Sequence, residues 1–185
     1  MKILVIVAHP DDEAVWAGAT LATLARAGHE ITCVCCSDEA AHAPAGDTRR
    51  REYPTSCAVL GIEGTVLDVP LSRIRESFGH MEIEGWPLIL THGPDGDRWC
   101  HEEHRWVRKE VLAHLASVSW RGLLLSFASG HTADIVVRCD PLSTEARRAA
   151  LLCHASQAGA FAGEFATRSP LAEGFHFEPI PGGKT

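Results

Sequence analysis

Lys2-Ile3-Leu4-Val5-Ile6-Val7-Ala8-His9-Pro10-Asp11-Asp12-Glu13 is the stretch on which the fold turns. Ile3 to Ala8 is a continuous apolar run, mostly β-branched, as expected of a strand buried on both faces of a parallel sheet. It breaks into an imidazole and three carboxylates, which open a helical stretch over Glu13–Ala27. That stretch carries Trp16, Leu21 and Leu24 on one stripe, with Gly28 where a helix-ending residue belongs.

The same alternation continues outward. Ile31–Cys36 and Trp86–Thr91 read as strands, with Thr65–Val69 and Leu123–Phe127 as shorter ones. Arg105–Ser117 and Thr144–Gln157 read as helices, the second opened by Ser143 or Thr144. Arg49–Leu60 is helical too, but Pro54 predicts that it starts or kinks there. The order β-α-β-α-β implies an α/β domain with a doubly wound, mostly parallel sheet and helices on both faces. The reading is a single domain over residues 1–185, with Pro170–Thr185 as a surface tail rich in Pro and Gly.

The 185 residues carry a net charge of −7, eleven histidines and seven cysteines. An acidic surface argues against nucleic acid or an anionic membrane as a partner. Cys33, Cys35 and Cys36 fall in a strand, where thiols act as small hydrophobes; no second Cys pair stands at zinc-ribbon spacing. No apolar run approaches the roughly 20 residues of a membrane span, and the first is too short for a signal peptide. A reducing cytoplasm is the expected compartment.

His9, Asp11, Asp12 and Glu13 follow the first strand directly, where ligand sites form in open α/β sheets. Such a cluster either gathers around a divalent cation or places Asp11 and Asp12 as helix-capping acids. A second cluster, His92-Gly93-Pro94-Asp95-Gly96-Asp97-Arg98-Trp99-Cys100-His101-Glu102-Glu103-His104, follows another strand. Its last two histidines are three apart, unlike the HExxH of zincin proteases. His9, Asp12 and one of His101 or His104 make a set of two nitrogens and one oxygen, as catalytic zinc uses. Asp11 and the remaining histidine are then left for acid and base work.

These residues resemble the PIG-L/LmbE-like zinc-dependent de-N-acetylases. The likeness lies in Ala8-His9-Pro10-Asp11-Asp12-Glu13, the later His101-x-x-His104, Arg49-x-x-Glu52 with Leu60-Gly61, Thr91-His92-Gly93-Pro94, and His154-x-Ser156-Gln157. The resemblance implies a Rossmann-like fold with zinc on His9, Asp12 and His104. It makes Asp11 the general base and His101 the oxyanion-stabilising acid. Arg49 would meet polar or anionic substrate groups at the rim, and Trp99 and His154 are assigned to substrate binding. The implied activity is removal of an acetyl group from a small N-acetylated amino-sugar conjugate. A zinc-binding but catalytically degenerate binding protein is the alternative, and a homo-oligomer stays open.

Three positions depart from the family pattern. Glu102-Glu103 replaces Pro-Asp, with Glu103 able to act as a supporting carboxylate. Trp99 replaces a frequent Tyr, and Leu71-Ser72-Arg73 stands where a sugar-binding carboxylate is common. Glu13 reads as a capping or supporting group and His92 as a satisfied loop histidine. A nucleotide-binding module is disfavoured, because no GxGxxG or P-loop follows the first strand.

Overall fold

A computed structural model describes residues 1–37, 46–67, 78, 83, 85–96, 100–128, 132–161 and 172–180. Its elements are β1 (Lys2–Val7), α1 (Asp12–Arg26), β2 (Glu30–Cys35), α2 (Gly46–Leu60), β3 (Glu63–Val66), β4 (Leu88–Thr91), α3 (Glu102–Ser117), β5 (Leu123–Phe127), β6 (Ile135–Arg138), α4 (Pro141–Cys153), a 3-10 turn (Ala155–Gln157), α5 (Ala158–Phe161) and β7 (Ala172–Phe177). The seven strands lie in the order β3-β2-β1-β4-β5-β7-β6. The first five are parallel, while β7 runs antiparallel to both β5 and β6. This is the expected doubly wound α/β sheet, with an antiparallel edge added.

Strand β1 shows why its run is apolar throughout. Ile3, Val5 and Val7 pack with Ala14, Leu21, Tyr53, Cys57, Ala150 and Leu151, on the face covered by α1, α2 and α4. Leu4, Ile6 and Ala8 pack with Val107, Val111, Leu115 and Trp120 on the face covered by α3. Successive side chains point to opposite faces, so burial on both sides requires every position to be apolar. Cys33, Cys35 and Cys36 are buried and unpaired, as their place in an apolar strand implies.

Two expectations are corrected. Helix α2 does not start at Pro54, one of the two readings of that proline: it runs from Gly46 to Leu60 with Pro54 inside it. The missing N–H and ring clash of an interior proline cost about 3 kcal/mol; the buried Arg49, Tyr53, Ser56 and Cys57 on either side offset it. The supposed tail is also not a tail over 172–177. It forms β7, inserted between β5 and β6, with Leu125 opposite Phe177 and Ile135 opposite Phe175.

The reason β7 resembles a tail is its buried Glu173. The Glu173 Oε1 accepts from the Ala19 amide at 3.0 Å, and Oε2 accepts from Thr20 at 2.7 Å. Arg147 of α4 stands 3.4 Å from the same carboxylate and donates to the Val15 carbonyl at 2.9 Å. Two charged side chains thus brace the middle of α1. A Cβ at Gly18 would come 2.8 Å from Arg147 Cγ, so only glycine lets the arginine stem pass so close.

Candidate metal centre at the sheet switch point

Strands β1, β2 and β3 build outward in one direction. The chain then returns to lay β4 on the other side of β1. The crevice beyond the carboxyl ends of β1 and β4 is therefore the switch point at which open α/β sheets bind ligands. Both sequence clusters converge there.

After β1 the chain turns tightly, with the Asp11 and Asp12 amides donating to the His9 carbonyl at 2.9 and 3.3 Å. The turn reverses Asp12 onto its own start: Oδ2 accepts from the His9 amide at 2.7 Å, and Oδ1 accepts from Trp16 Nε1 at 3.2 Å. Asp12 is held at both oxygens before any ligand is considered. Trp16, read from sequence as packing, gains this second task because one helical turn separates it from Asp12.

The buried residues His9, Asp12 and His104 each bring one ligand atom within 4.8 Å of the others. His9 Nδ1 lies 2.9 Å from His104 Nε2 and 3.6 Å from Asp12 Oδ2, and His104 Nε2 lies 3.4 Å from that oxygen. Two imidazole nitrogens and one carboxylate oxygen facing one point are the donor set of a zinc-type site, so the residues fit such an ion. Burial pushes the Asp12 carboxyl up, but the imidazoles of His104, His92 and His9 outweigh it and hold the group well below the usual carboxylate range.

Supporting groups surround this triad. Glu103 Oε2 lies 2.5 Å from His9 Nε2, so the supporting carboxylate read at this position has a defined partner. That contact holds the Glu103 carboxyl below its ordinary value. His92 is buried, and its Nε2 accepts the Ala8 amide proton at 2.8 Å. Its ring stacks on His104 with centroids 3.9 Å apart and planes at 17°. Burial lowers the His92 pKa to about 4 despite the attraction of Asp12, which keeps the ring neutral. The loop-histidine reading of His92 captured its satisfied nitrogen but missed its support of His104.

His101 is exposed at the start of α3, its ring 5.0 Å from His104 and 5.9 Å from His9. Gly96 places it: the His101 amide donates to the Gly96 carbonyl at 2.8 Å. Gly96 has φ +69°, and a Cβ there would lie 2.2 Å from the His101 carbonyl oxygen.

Arg49, expected at the rim, and His154, assigned to substrate binding, are both buried side chains. Arg49 is buried, with Nη2 3.0 Å from Asp11 Oδ2. His154 is fully buried, and its Nε2 lies 3.2 Å from Glu13 Oε1. Burial and the charge of Asp12 raise the Asp11 carboxyl to about 6, against the opposing pull of Arg49 and His154. Trp99 and Leu71-Ser72-Arg73 lie outside the described residues.

Fold and site together define a Rossmann-like α/β domain with a candidate two-histidine, one-aspartate metal centre at its switch point. The family model for PIG-L, GlcNAc-PI de-N-acetylase, matches residues 4–115, and the chain belongs to that family. The matched span includes both halves of the triad; the His154 turn follows it.

A 1D-myo-inositol 2-acetamido-2-deoxy-alpha-D-glucopyranoside deacetylase of Corynebacterium diphtheriae is 26% identical over 155 residues, covering 61% of this chain and 51% of that protein. The chain spans about half the length of this curated relative. Among solved structures, the N,N'-diacetylchitobiose deacetylase of Pyrococcus horikoshii superposes with a TM-score of 0.76 at 21% identity, covering 96% of this chain and 84% of that one. The 4-carboxy-2-hydroxymuconate hydratase of Pseudomonas putida superposes with a TM-score of 0.68 at 17% identity, covering 100% and 98%. The fold is thus shared by proteins named for different reactions, and the reaction must be argued from the site.

Proposed function

We propose that this protein is a zinc-dependent hydrolase that removes the acetyl group from a small N-acetylated amino-sugar conjugate, releasing acetate and a free amine. The observation that carries the reading is the convergence of His9 Nδ1, Asp12 Oδ2 and His104 Nε2 beside the half-buried carboxylate of Asp11. The name of the Corynebacterium diphtheriae relative supports the amino-sugar substrate class.

His9, Asp12 and His104 would hold the ion. When bound, zinc supplies Lewis acidity that polarises the acyl carbonyl and lowers the pKa of water. Asp11 accepts a proton from the attacking water, whose oxygen bonds to the acyl carbon. Arg49 fixes the Asp11 carboxylate during that transfer. The C–N bond then breaks, and the nitrogen leaves as an amine with a proton delivered by His101. His101 also stabilises the negative oxygen that develops on the acyl carbon, a contribution typically worth several kcal/mol. Its exposed place at the mouth suits a group that meets substrate.

The cytoplasm is the location proposed with this reading. Among the described residues, no helix is long and apolar enough to cross a membrane. The test is metal analysis of the purified protein, followed by amine release from N-acetylglucosaminyl-inositol and N,N'-diacetylchitobiose. One equivalent of metal with release of acetate and amine in equal amounts is expected. Fully metallated protein that frees no amine from either sugar overturns the reading.

A further inference from the structure

Two segments remote in sequence converge on the carboxylate of Glu13. It is fully buried in the first turn of α1, and Oε1 accepts from Ser56 Oγ at 2.7 Å and lies 3.2 Å from His154 Nε2. His154, also fully buried, follows the last residue of α4 and precedes the 3-10 turn. That turn is tied down as well: the Ser156 amide and hydroxyl donate to Glu52 Oε1 and Oε2 at 2.9 and 2.5 Å.

Arg49, Glu52 and Ser56 are spaced three and four apart, so they share one face of α2. From that face Arg49 reaches Asp11, Glu52 reaches Ser156, and Ser56 reaches Glu13. A polar seam therefore runs from Asp11 to the turn carrying His154.

The seam answers an electrostatic problem. Asp11, Asp12 and Glu13 are consecutive carboxylates, with Asp12 and Glu13 almost wholly removed from solvent. Buried charge is costly unless paired and hydrogen-bonded. An apolar residue after Asp12 would avoid that cost, yet the chain places a carboxylate there and spends a buried imidazole and a hydroxyl on it. His154 is closed to solvent, with its Nε2 turned to Glu13.

We propose that His154 is a positioning residue of the hydrolytic site: acting through Glu13, it fixes the first turn of α1 and so the directions in which Asp11 and Asp12 present their carboxylates. The inference rests on the metal-hydrolase reading above. Its effect is on the metal pocket and the chemical step, and substrate affinity is left alone.

The test uses the full chain loaded with cobalt(II), comparing wild type, His154→Phe and His154→Gln. Phe fills the space without the bond, while the Gln amide restores a donor to Glu13. The expected result for His154→Phe is a kcat lower by roughly 10–100-fold, a KM within about twofold, an altered visible cobalt spectrum and roughly tenfold weaker cobalt binding. His154→Gln recovers most of each. A His154→Phe protein with wild-type kcat and cobalt spectrum overturns the proposal, as does one in which KM alone rises. If His154→Phe does not fold, Ser56→Ala removes the other donor to the same oxygen, and its cobalt spectrum must shift in the same sense. Wild type that binds no cobalt refutes the metal reading itself; wild type that binds it with variants indistinguishable from it refutes only the role of His154.

Discussion

Glu103 Oε2 contacts the Nε2 of His9, the nitrogen opposite the one that faces His104 and Asp12. The carboxylate accepts the Nε2 proton, which leaves the Nδ1 lone pair directed into the triad. Carboxylate–imidazole pairs of this kind orient metal-binding histidines and raise their basicity. Glu103→Ala is expected to weaken zinc binding roughly 10–100-fold, measured by competition with a chromophoric chelator. Glu103→Asp, shorter by a methylene, should lose nearly as much. Binding unchanged in both variants would remove Glu103 from the site.

Asp11→Asn should lower kcat/KM by roughly 10²–10⁴-fold with metal content unchanged, because the amide cannot take a proton. Burial holds the Asp11 carboxyl near 6 in the protein alone, and a bound cation draws it lower. A general base works deprotonated, so with Asp11 in that role activity is expected to rise with pH and level off. The acid limb of the kcat/KM profile is therefore expected at or below about pH 6. An acid limb at neutral pH or above would contradict the assignment.

Arg147 and Glu173 are a buried ion pair bonded to the backbone of α1. Removing one partner leaves the other charge uncompensated, which typically costs 3–5 kcal/mol. Arg147→Met is thus expected to lose about that much stability in urea unfolding. Replacing both residues with apolar ones should recover part of it. A single variant within 1 kcal/mol of wild type would show that α1 does not depend on the pair.

Gly96→Ala should impair turnover more than metal binding. The added Cβ would collide with the His101 carbonyl in a backbone conformation that L side chains rarely adopt. His101 is displaced while His9, Asp12 and His104 keep their own anchors. Zinc content at wild-type level with kcat reduced at least tenfold is expected, read from metal analysis and steady-state kinetics together.

How far the sequence could be read depends on what each residue is buried against. Strands β1 and β2 are plain because both their faces meet apolar helices, leaving uninterrupted hydrophobic runs. His9, Asp12 and His104 are legible because imidazoles and carboxylates at two strand ends have a common explanation. Strand β7 hides because one of its inward residues is Glu173, whose partners lie in α1 and α4. No local pattern announces a charge satisfied by the backbone of α1, more than a hundred residues away, and by an arginine of α4. Arg49 and His154 are visible as polar residues of interest, but their direction is set by the packing of α2 and α4 on α1. That packing turns Arg49 toward Asp11 and His154 toward Glu13.

The placement of β4 against β1 also makes the candidate metal centre a gauge of completed assembly. His9 and His104 are 95 positions apart, and they meet only once Ile3, Leu4 and Val5 have paired with Leu88, Ile89 and Leu90. An unfolded or half-assembled chain offers no such pocket, so an ion bound there would draw the equilibrium toward the finished sheet. At a free ion concentration a thousand times the Kd, the gain is about 4 kcal/mol. For a protein of this kind, the supply of metal in its surroundings would then govern how long the chain survives as well as how fast it turns over.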